Sequence, residues 1–179
     1  MFGSSPPSNS SAPSSSYVIN VHQPEVNTYG FDNNCYYTTL AGLLNTTVEE
    51  LVKKCERMQE GGPKGATIDQ IDSLYRDAHL PIQKFYVFTS AAQLSSFFHR
   101  ANIGDSPVGI PFAWEVPNAG YNHMVALYLR RQSGTVDGIL VDYQRPSNDP
   151  GRTTDRLPQS SKYYVLDTLG LFPSMHDDL

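Results

Sequence analysis

The residue best suited to nucleophilic chemistry is Cys35, which directly follows the polar turn DNN in the segment FDNNCYYTTL. Residues 35–44 predict a buried helix with Asn33 or Asn34 as its N-cap, so Cys35 lies in the first helical turn. There the positive end of the helix dipole and the backbone N–H groups stabilise a thiolate and could hold the oxyanion of a tetrahedral intermediate. The alternative interpretation is that Cys35 is a small buried apolar residue.

A cysteine nucleophile needs a base, and His123 stands at the head of the strand-like run HMVALYLR. Asp142 ends the apolar part of the next run, GILVDYQ, where a carboxylate without a partner is costly. If the runs pair with His123 opposite Asp142, the hairpin centre falls between Gln132 and Ser133, inside the turn-like segment RRQSGTVDG. We therefore predict that Asp142 orients His123 as the base. The alternatives are an exposed histidine at a strand end and an acid that caps a loop.

Three amide side chains are candidates to bind the oxyanion or to orient the substrate: Asn34, Gln23 and Gln144. Gln144 follows Asp142 by two residues, so on a strand it would point to the same side and could also orient the histidine. The backbone N–H of Cys35 is a further oxyanion candidate. The other histidines are predicted to be structural or exposed, and Cys55 to be part of the core.

Sequence patterns also predict the elements that must position these residues. Apolar periodicity, with capping boxes at Thr47/Glu50 and Thr67/Gln70, predicts helices at 35–44, 47–58, 67–80 and 90–101. Residues of high β propensity predict strands at 17–21, 82–88, 108–114, 123–130, 138–144 and 163–169. Helices that precede strands favour an α+β domain in which an N-terminal helical layer packs on a C-terminal antiparallel β-sheet.

Length and charge restrict the class of protein. Residues 1–16 are mostly Ser and Pro and predict a flexible leader or linker, which leaves 17–179 for a single domain. The formal charge of −5 disfavours nucleic acid as a partner. No run approaches the roughly 18 apolar residues of a membrane span. We expect no metal and no cofactor, because neither cysteine has zinc-finger spacing and no phosphate-binding or dinucleotide motif is present.

The three segments DNNCYYTTLAGLL, NHMVALYL and GILVDYQ together resemble the papain-like cysteine-catalyst superfamily. They are most similar to the papain-fold toxin domains at the C-termini of bacterial polymorphic toxins and secreted effectors. The resemblance implies a papain-like fold, a catalytic triad of Cys35, His123 and Asp142, and hydrolysis of a peptide bond or deamidation of glutamine in a target-cell protein. It also implies a cognate immunity or inhibitor protein, and secretion or delivery into a target-cell cytosol. We expect this delivery to occur without a signal peptide, because residues 1–16 have neither the basic nor the apolar region of one.

The chain departs from the papain-type pattern in one respect and leaves two alternatives. A papain-type protease carries a glutamine about six residues before the cysteine, and here Tyr29 occupies that place. The segment DNNCYYTTL also resembles the start of ovarian-tumour-type deubiquitinases, although their histidine lies close to the C-terminus of the domain. A non-catalytic protein-binding module, with Cys35 in its core, is the second alternative.

Overall fold

The fold was analysed in a computed structural model, which describes residues 25–29, 33–54 and 65–173. These residues form four α-helices: α1 (Cys35–Leu43), α2 (Val48–Lys54), α3 (Ile68–Asp77) and α4 (Ala91–Phe98). They also form six strands: β1 (Lys84–Phe88), β2 (Val108–Glu115), β3 (Asn122–Gln132), β4 (Thr135–Val141), β5 (Thr153–Thr154) and β6 (Tyr163–Asp167). The leader at 1–16, the strand at 17–21, Gln23 and Cys55 lie outside the described residues. The predicted α+β class is confirmed.

The six strands form one antiparallel sheet in the order β1-β6-β2-β3-β4-β5. Strands β2 and β3 pair over eight residues, from Val108 opposite Leu129 to Glu115 opposite Asn122. This register places Trp114 opposite His123. His123 is therefore the second residue of a central strand and is paired there with β2, which restricts its backbone.

Side chains from the two faces of the sheet enter two hydrophobic clusters, because successive residues of a strand point to opposite faces. One cluster joins α1, α2 and α3 to Ala113, Met124, Ala126, Ile139, Val141 and Leu166. The other joins α4 to Ile110, Phe112, Val125, Leu127, Leu129 and Val165. The sheet is thus buried on both sides, and α1, which begins with Cys35, belongs to the first of these clusters.

Capping residues define the helix ends. Thr67 and Gln70 form the predicted capping box at the start of α3, and Ser90 caps α4. Helix α3 ends at Asp77, before the predicted Leu80, because His79 adopts a positive φ and the N–H of Leu80 donates to the carbonyl of Tyr75 in a Schellman motif. Helix α4 ends at Phe98, not at the predicted residue 101, because the chain continues in tighter i→i+3 turns.

The predicted register of the β3–β4 hairpin is wrong by one residue at its centre. Ser133 and Gly134 both have positive φ, which is typical of a two-residue hairpin turn, and they lie between the paired residues Gln132 and Thr135. The ladder ends with Ala126 opposite Val141. Strand β4 therefore spans 135–141 and not 138–144, and Asp142 is the first residue after the strand.

Candidate active site

Cys35 is the first residue of α1 and is partly exposed. Asn34 is the N-cap, and its carbonyl accepts the N–H groups of Tyr37 and Thr38, each at 3.0 Å. Backbone N–H groups at a helix start have no partner within the helix, so the first turn presents positive partial charge beside the thiol. The predicted position of Cys35 at the start of a largely buried helix is confirmed.

The buried side chain of Tyr75 bonds to the first turn of α1. The hydroxyl of Tyr75 on α3 donates to the carbonyl of Tyr36 at 3.3 Å and lies 3.5 Å from the sulfur of Met124. Burial raises the pKa of Tyr75 well above its usual value, and the nearby Cys35 adds to the effect. Tyr75 therefore stays protonated and acts as a hydrogen-bond donor that fixes the residue after Cys35.

The imidazole of His123 lies between Cys35 and Asp142. His123 Nε2 donates to Asp142 Oδ2 at 2.8 Å, and the two side chains are only 20% and 16% exposed. The indole of Trp114 meets the imidazole edge to face at 5.1 Å between ring centres, which restricts the ring and shields the hydrogen bond from water. Because Nε2 is used by Asp142, Nδ1 is the ring nitrogen that remains for Cys35.

The surroundings of His123 favour its protonated form. Burial acts to lower the pKa of His123, but the hydrogen bond to Asp142 and then the hydrogen-bonding contact with Cys35 outweigh it, and the pKa rises from 6.5 to about 9. At neutral pH the imidazole of His123 is therefore protonated. A protonated imidazole beside a cysteine favours the thiolate, which is the reactive form.

Asp142 reaches the histidine from a tight turn. Continuing the β3–β4 ladder by one residue places Asp142 opposite Val125, two residues from His123 and on the same face. The N–H of Asp142 donates to the carbonyl of Arg152 at 2.7 Å, and its carbonyl accepts the N–H of Arg145 at 3.1 Å. The bond to Arg152 continues the β4–β5 register by one pair, and the bond from Arg145 closes a turn at 142–145. From the start of this turn the carboxylate of Asp142 reaches diagonally to His123.

Two further groups bind the Asp142 carboxylate. The N–H of Gln144 donates to Oδ1 at 3.1 Å, and Nε of Arg145 lies 3.4 Å from Oδ2. Asp142 therefore accepts bonds at both oxygens, which fixes the orientation of its carboxylate.

The amide side chains form a hydrogen-bonded network that sequence patterns do not reveal. Asn34, which is 1% exposed, donates from Nδ2 to Asn27 Oδ1 at 2.8 Å and accepts at Oδ1 from Gln144 Nε2 at 3.0 Å. Asn27 in turn donates from Nδ2 to the carbonyl of Gln144 at 3.3 Å. Asn27 was not a candidate, and its place in the turn-rich segment HQPEVNTYG was the one available signal. Asn34 and Gln144 are thus hydrogen-bonded to each other next to Cys35.

Two cavities flank the pair formed by Cys35 and His123. The first, of about 220 Å³, is lined mainly by apolar side chains: Tyr36, Ala66, Ile68, Ile71, Phe85, Ala113, Met124, Tyr164 and Leu166. The second, of about 410 Å³, is lined by the polar site residues together with Trp114, Val116, Tyr121 and Asn122. A bound substrate could therefore extend to both sides of the thiol.

The described part of the chain brings Cys35, His123 and Asp142 together, with Asn34 and Gln144 adjacent. Two other histidines that it describes lie elsewhere, His79 at the end of α3 and His99 at the end of α4. Among the same residues, no group of three or more His, Cys, Asp or Glu side chains could hold a metal ion, and no helix is long and apolar enough to cross a membrane. Neither protein-family profiles nor curated protein sequences match this chain at a significant level.

Proposed function

We propose that this protein is a thiol hydrolase in which Cys35 is the nucleophile, His123 the general base and acid, and Asp142 the residue that orients His123. The observation that carries the proposal is the position of the imidazole of His123, bonded at Nε2 to Asp142 and in contact with Cys35 on its other side. A buried ion pair of this kind is costly unless each member is paired. A nucleophilic thiol or hydroxyl, a histidine base and an acid or amide that orients the histidine form the functional unit of thiol and serine hydrolases.

The arrangement supports hydrolysis of an amide in two steps. The thiolate of Cys35 attacks the carbonyl carbon while the imidazolium of His123 protonates the departing nitrogen, which gives a thioester and a free amine. His123, now neutral, takes a proton from water, and the resulting attack on the thioester releases the acid and regenerates the thiol. The oxyanion that forms in each step lies beside the first turn of α1, where the backbone N–H of Cys35 is the proposed donor.

The cavities support a substrate that is extended and partly apolar. The apolar cavity lies on the α3 side of Cys35 and suits an apolar side chain or acyl group next to the scissile bond. The polar cavity suits the part of the substrate that leaves with the nitrogen. A peptide, an isopeptide and a glutamine side chain all present the same carbonyl and nitrogen to the thiol, so we propose peptidase or glutamine deamidase activity on a protein.

We further propose a papain-like arrangement of helices on the sheet and a role as a secreted bacterial effector or toxin in a target-cell cytosol. The order of the three catalytic residues and the helix start at Cys35 support the first part. The need of a thiol catalyst for a reducing compartment supports the second. An immunity protein would then act by covering the cleft around Cys35. Expression in a cytosol, with Cys35→Ala as the control, tests toxicity directly.

Incubation with a peptide library derived from a whole proteome tests the activity. Mass spectrometry distinguishes new termini, which indicate a peptidase, from conversion of glutamine to glutamate, which indicates a deamidase. Either product must be absent with Cys35→Ala. A ubiquitin chain included in the mixture tests the deubiquitinase alternative. A chain that binds peptides but changes none of them would support the binding-module alternative.

A further inference from the structure

We propose that Gln144 is a positioning residue that ties the Asp142 carboxylate to the helix start carrying Cys35, without touching the reacting atoms. The inference rests on the proposed function of Cys35, His123 and Asp142. It gives Gln144 and Asn34 a different role from oxyanion donors.

Gln144 bonds both to the orienting acid, Asp142, and to Asn34, the residue before the nucleophile. Its backbone N–H donates to Asp142 Oδ1 at 3.1 Å, which leaves Oδ2 for His123. Its side-chain Nε2 donates to Asn34 Oδ1 at 3.0 Å. Because Asn34 is the N-cap of α1 and immediately precedes Cys35, one residue links the orienting acid to the nucleophile.

Asn27 closes the network into a ring. It donates to the carbonyl of Gln144 and accepts from Nδ2 of Asn34, so each of the three residues bonds to the other two. Asn34 is buried, and a buried amide that lacks hydrogen-bond partners lowers the stability of the fold. The three side chains are therefore held in one hydrogen-bonded arrangement. The ring joins segments that no strand ladder connects: residues 25–29, the start of α1 and the turn after β4.

The geometry favours positioning over oxyanion binding. An oxyanion donor must point to the place where negative charge develops. One of the two N–H groups on Nδ2 of Asn34 instead donates to Asn27, and one of the two on Nε2 of Gln144 donates to Asn34, so the ring sets the orientation of both amide planes. The backbone of the first helical turn remains the proposed donor.

The substitution Gln144→Ala removes the link and leaves the backbone bond to Asp142 in place. A shift of about 1 Å in a catalytic group can cost about 10²-fold in rate, so we expect Cys35 to react about tenfold more slowly, or slower still. Asn34→Ala removes the other half of the contact. If both act through this contact, the double variant Asn34→Ala/Gln144→Ala loses less than the product of the single effects.

Two probes separate positioning from oxyanion binding without knowledge of the natural substrate. Iodoacetamide reacts at its methylene carbon: the S–C bond forms, the C–I bond breaks, iodide leaves and the thiol proton stays on His123. No oxyanion develops. p-Nitrophenyl acetate is attacked at its carbonyl, passes through an oxyanion and releases p-nitrophenolate. Loss of positioning slows both reactions of Cys35, whereas loss of an oxyanion donor slows only the second.

The matched control is Gln132→Ala, at the far end of β3, which should leave both rates unchanged. Circular dichroism checks the fold, and Gln144→Asn replaces Gln144→Ala if the alanine variant does not fold. NMR titration of the His123 imidazole adds a readout that a purely structural role would not move: its midpoint should fall in Gln144→Ala.

Each outcome decides the proposal. Slowing of both probes by Gln144→Ala, with Gln132→Ala unchanged, supports positioning. Slowing of the ester probe alone would make Gln144 an oxyanion donor and overturn it, as would unchanged rates with both probes. Those two results leave the proposed function standing as long as wild-type Cys35 depends on His123. If wild-type Cys35 reacts no faster than Cys35 in His123→Ala, both proposals fail.

Discussion

His123 Nε2 lies 2.8 Å from Asp142 Oδ2 although the two residues are not cross-strand partners. The strand partner of His123 is Trp114 on β2, and Asp142 lies beyond the last paired residue of β4. The contact therefore depends on the turn at 142–145, which is closed by the bond from the N–H of Arg145 to the carbonyl of Asp142. The orienting acid is supplied by a turn, while the base is supplied by a rigid strand.

Replacement of Asp142 should shift the titration of His123. In Asp142→Asn the carboxylate charge is lost while burial remains, so the pKa of His123 should fall from about 9 towards or below 6.5. The imidazolium would then no longer be present at pH 7.5, and the rate of ester hydrolysis should fall by about 10²-fold or more. NMR titration measures the shift. A midpoint near 9 in the variant would show that Asp142 is not the cause.

The same ion pair should make stability depend on pH. A folded-state pKa raised above the unfolded value of 6.5 means that the folded state binds the proton more tightly. The contribution, up to about 3 kcal/mol, is therefore fully present below pH 6.5 and lost as pH rises through about 9. Urea unfolding at pH 6 and pH 9.5 measures the difference. His123→Gln should remove most of this pH-dependent difference in the free energy of unfolding. An equal difference in His123→Gln would show that His123 is not its cause.

Gly42 should be required on α1 because Tyr143 occupies the space of its side chain. A Cβ at Gly42 would overlap the ring of Tyr143. Gly42→Ala should therefore destabilise the fold by about 1–3 kcal/mol through overpacking, despite the better helix propensity of alanine. The control is Gly104→Ala, where nothing lies within 4 Å of the new Cβ. Equal urea midpoints for the two variants would contradict the packing described here.

The apolar cavity should select acyl groups by length. Burial of each CH₂ contributes about 0.8 kcal/mol, so kcat/KM for p-nitrophenyl esters should rise about fourfold per added methylene until the cavity is full. Ile68, which is 51% exposed at its rim, can be changed without unfolding the core, and Ile68→Glu should abolish this preference. Val87→Glu, a similarly exposed position outside the cavity, is the control. A preference that survives Ile68→Glu would place acyl binding elsewhere.

The sequence predicted what depends on local patterns. The helix start at Cys35, the capping box at Thr67 and the strand-like runs around His123 follow from apolar periodicity and capping residues. The predicted contact between His123 and Asp142 does not depend on the exact register. The structure shifts the cross-strand partner of Asp142 by two positions, and a shift of two keeps both side chains on the same face of the sheet. A shift of one position would have put the two side chains on opposite faces.

The amide network depends on long-range geometry and could not be predicted in the same way. Asn27 and Gln144 are separated by 117 residues, and asparagine in a turn-rich segment is common for local reasons. The turn Ser133-Gly134 was missed as the hairpin centre because several polar residues in RRQSGTVDG could have supplied it. Strand β4 ends at Val141 because the chain turns at 142–145, where the N–H of Arg145 donates to the carbonyl of Asp142, and the β propensity of 142–144 does not show this turn.

The most direct test is alkylation of the native protein by a low dose of iodoacetamide at neutral pH, followed by peptide mapping. The ion pair predicts that Cys35 is labelled much faster than Cys55, and that His123→Ala slows labelling of Cys35 while the fold, checked by circular dichroism, is kept. Labelling of Cys35 at the same slow rate in the wild type and in His123→Ala would contradict a catalytic thiol and leave a binding module as the better description.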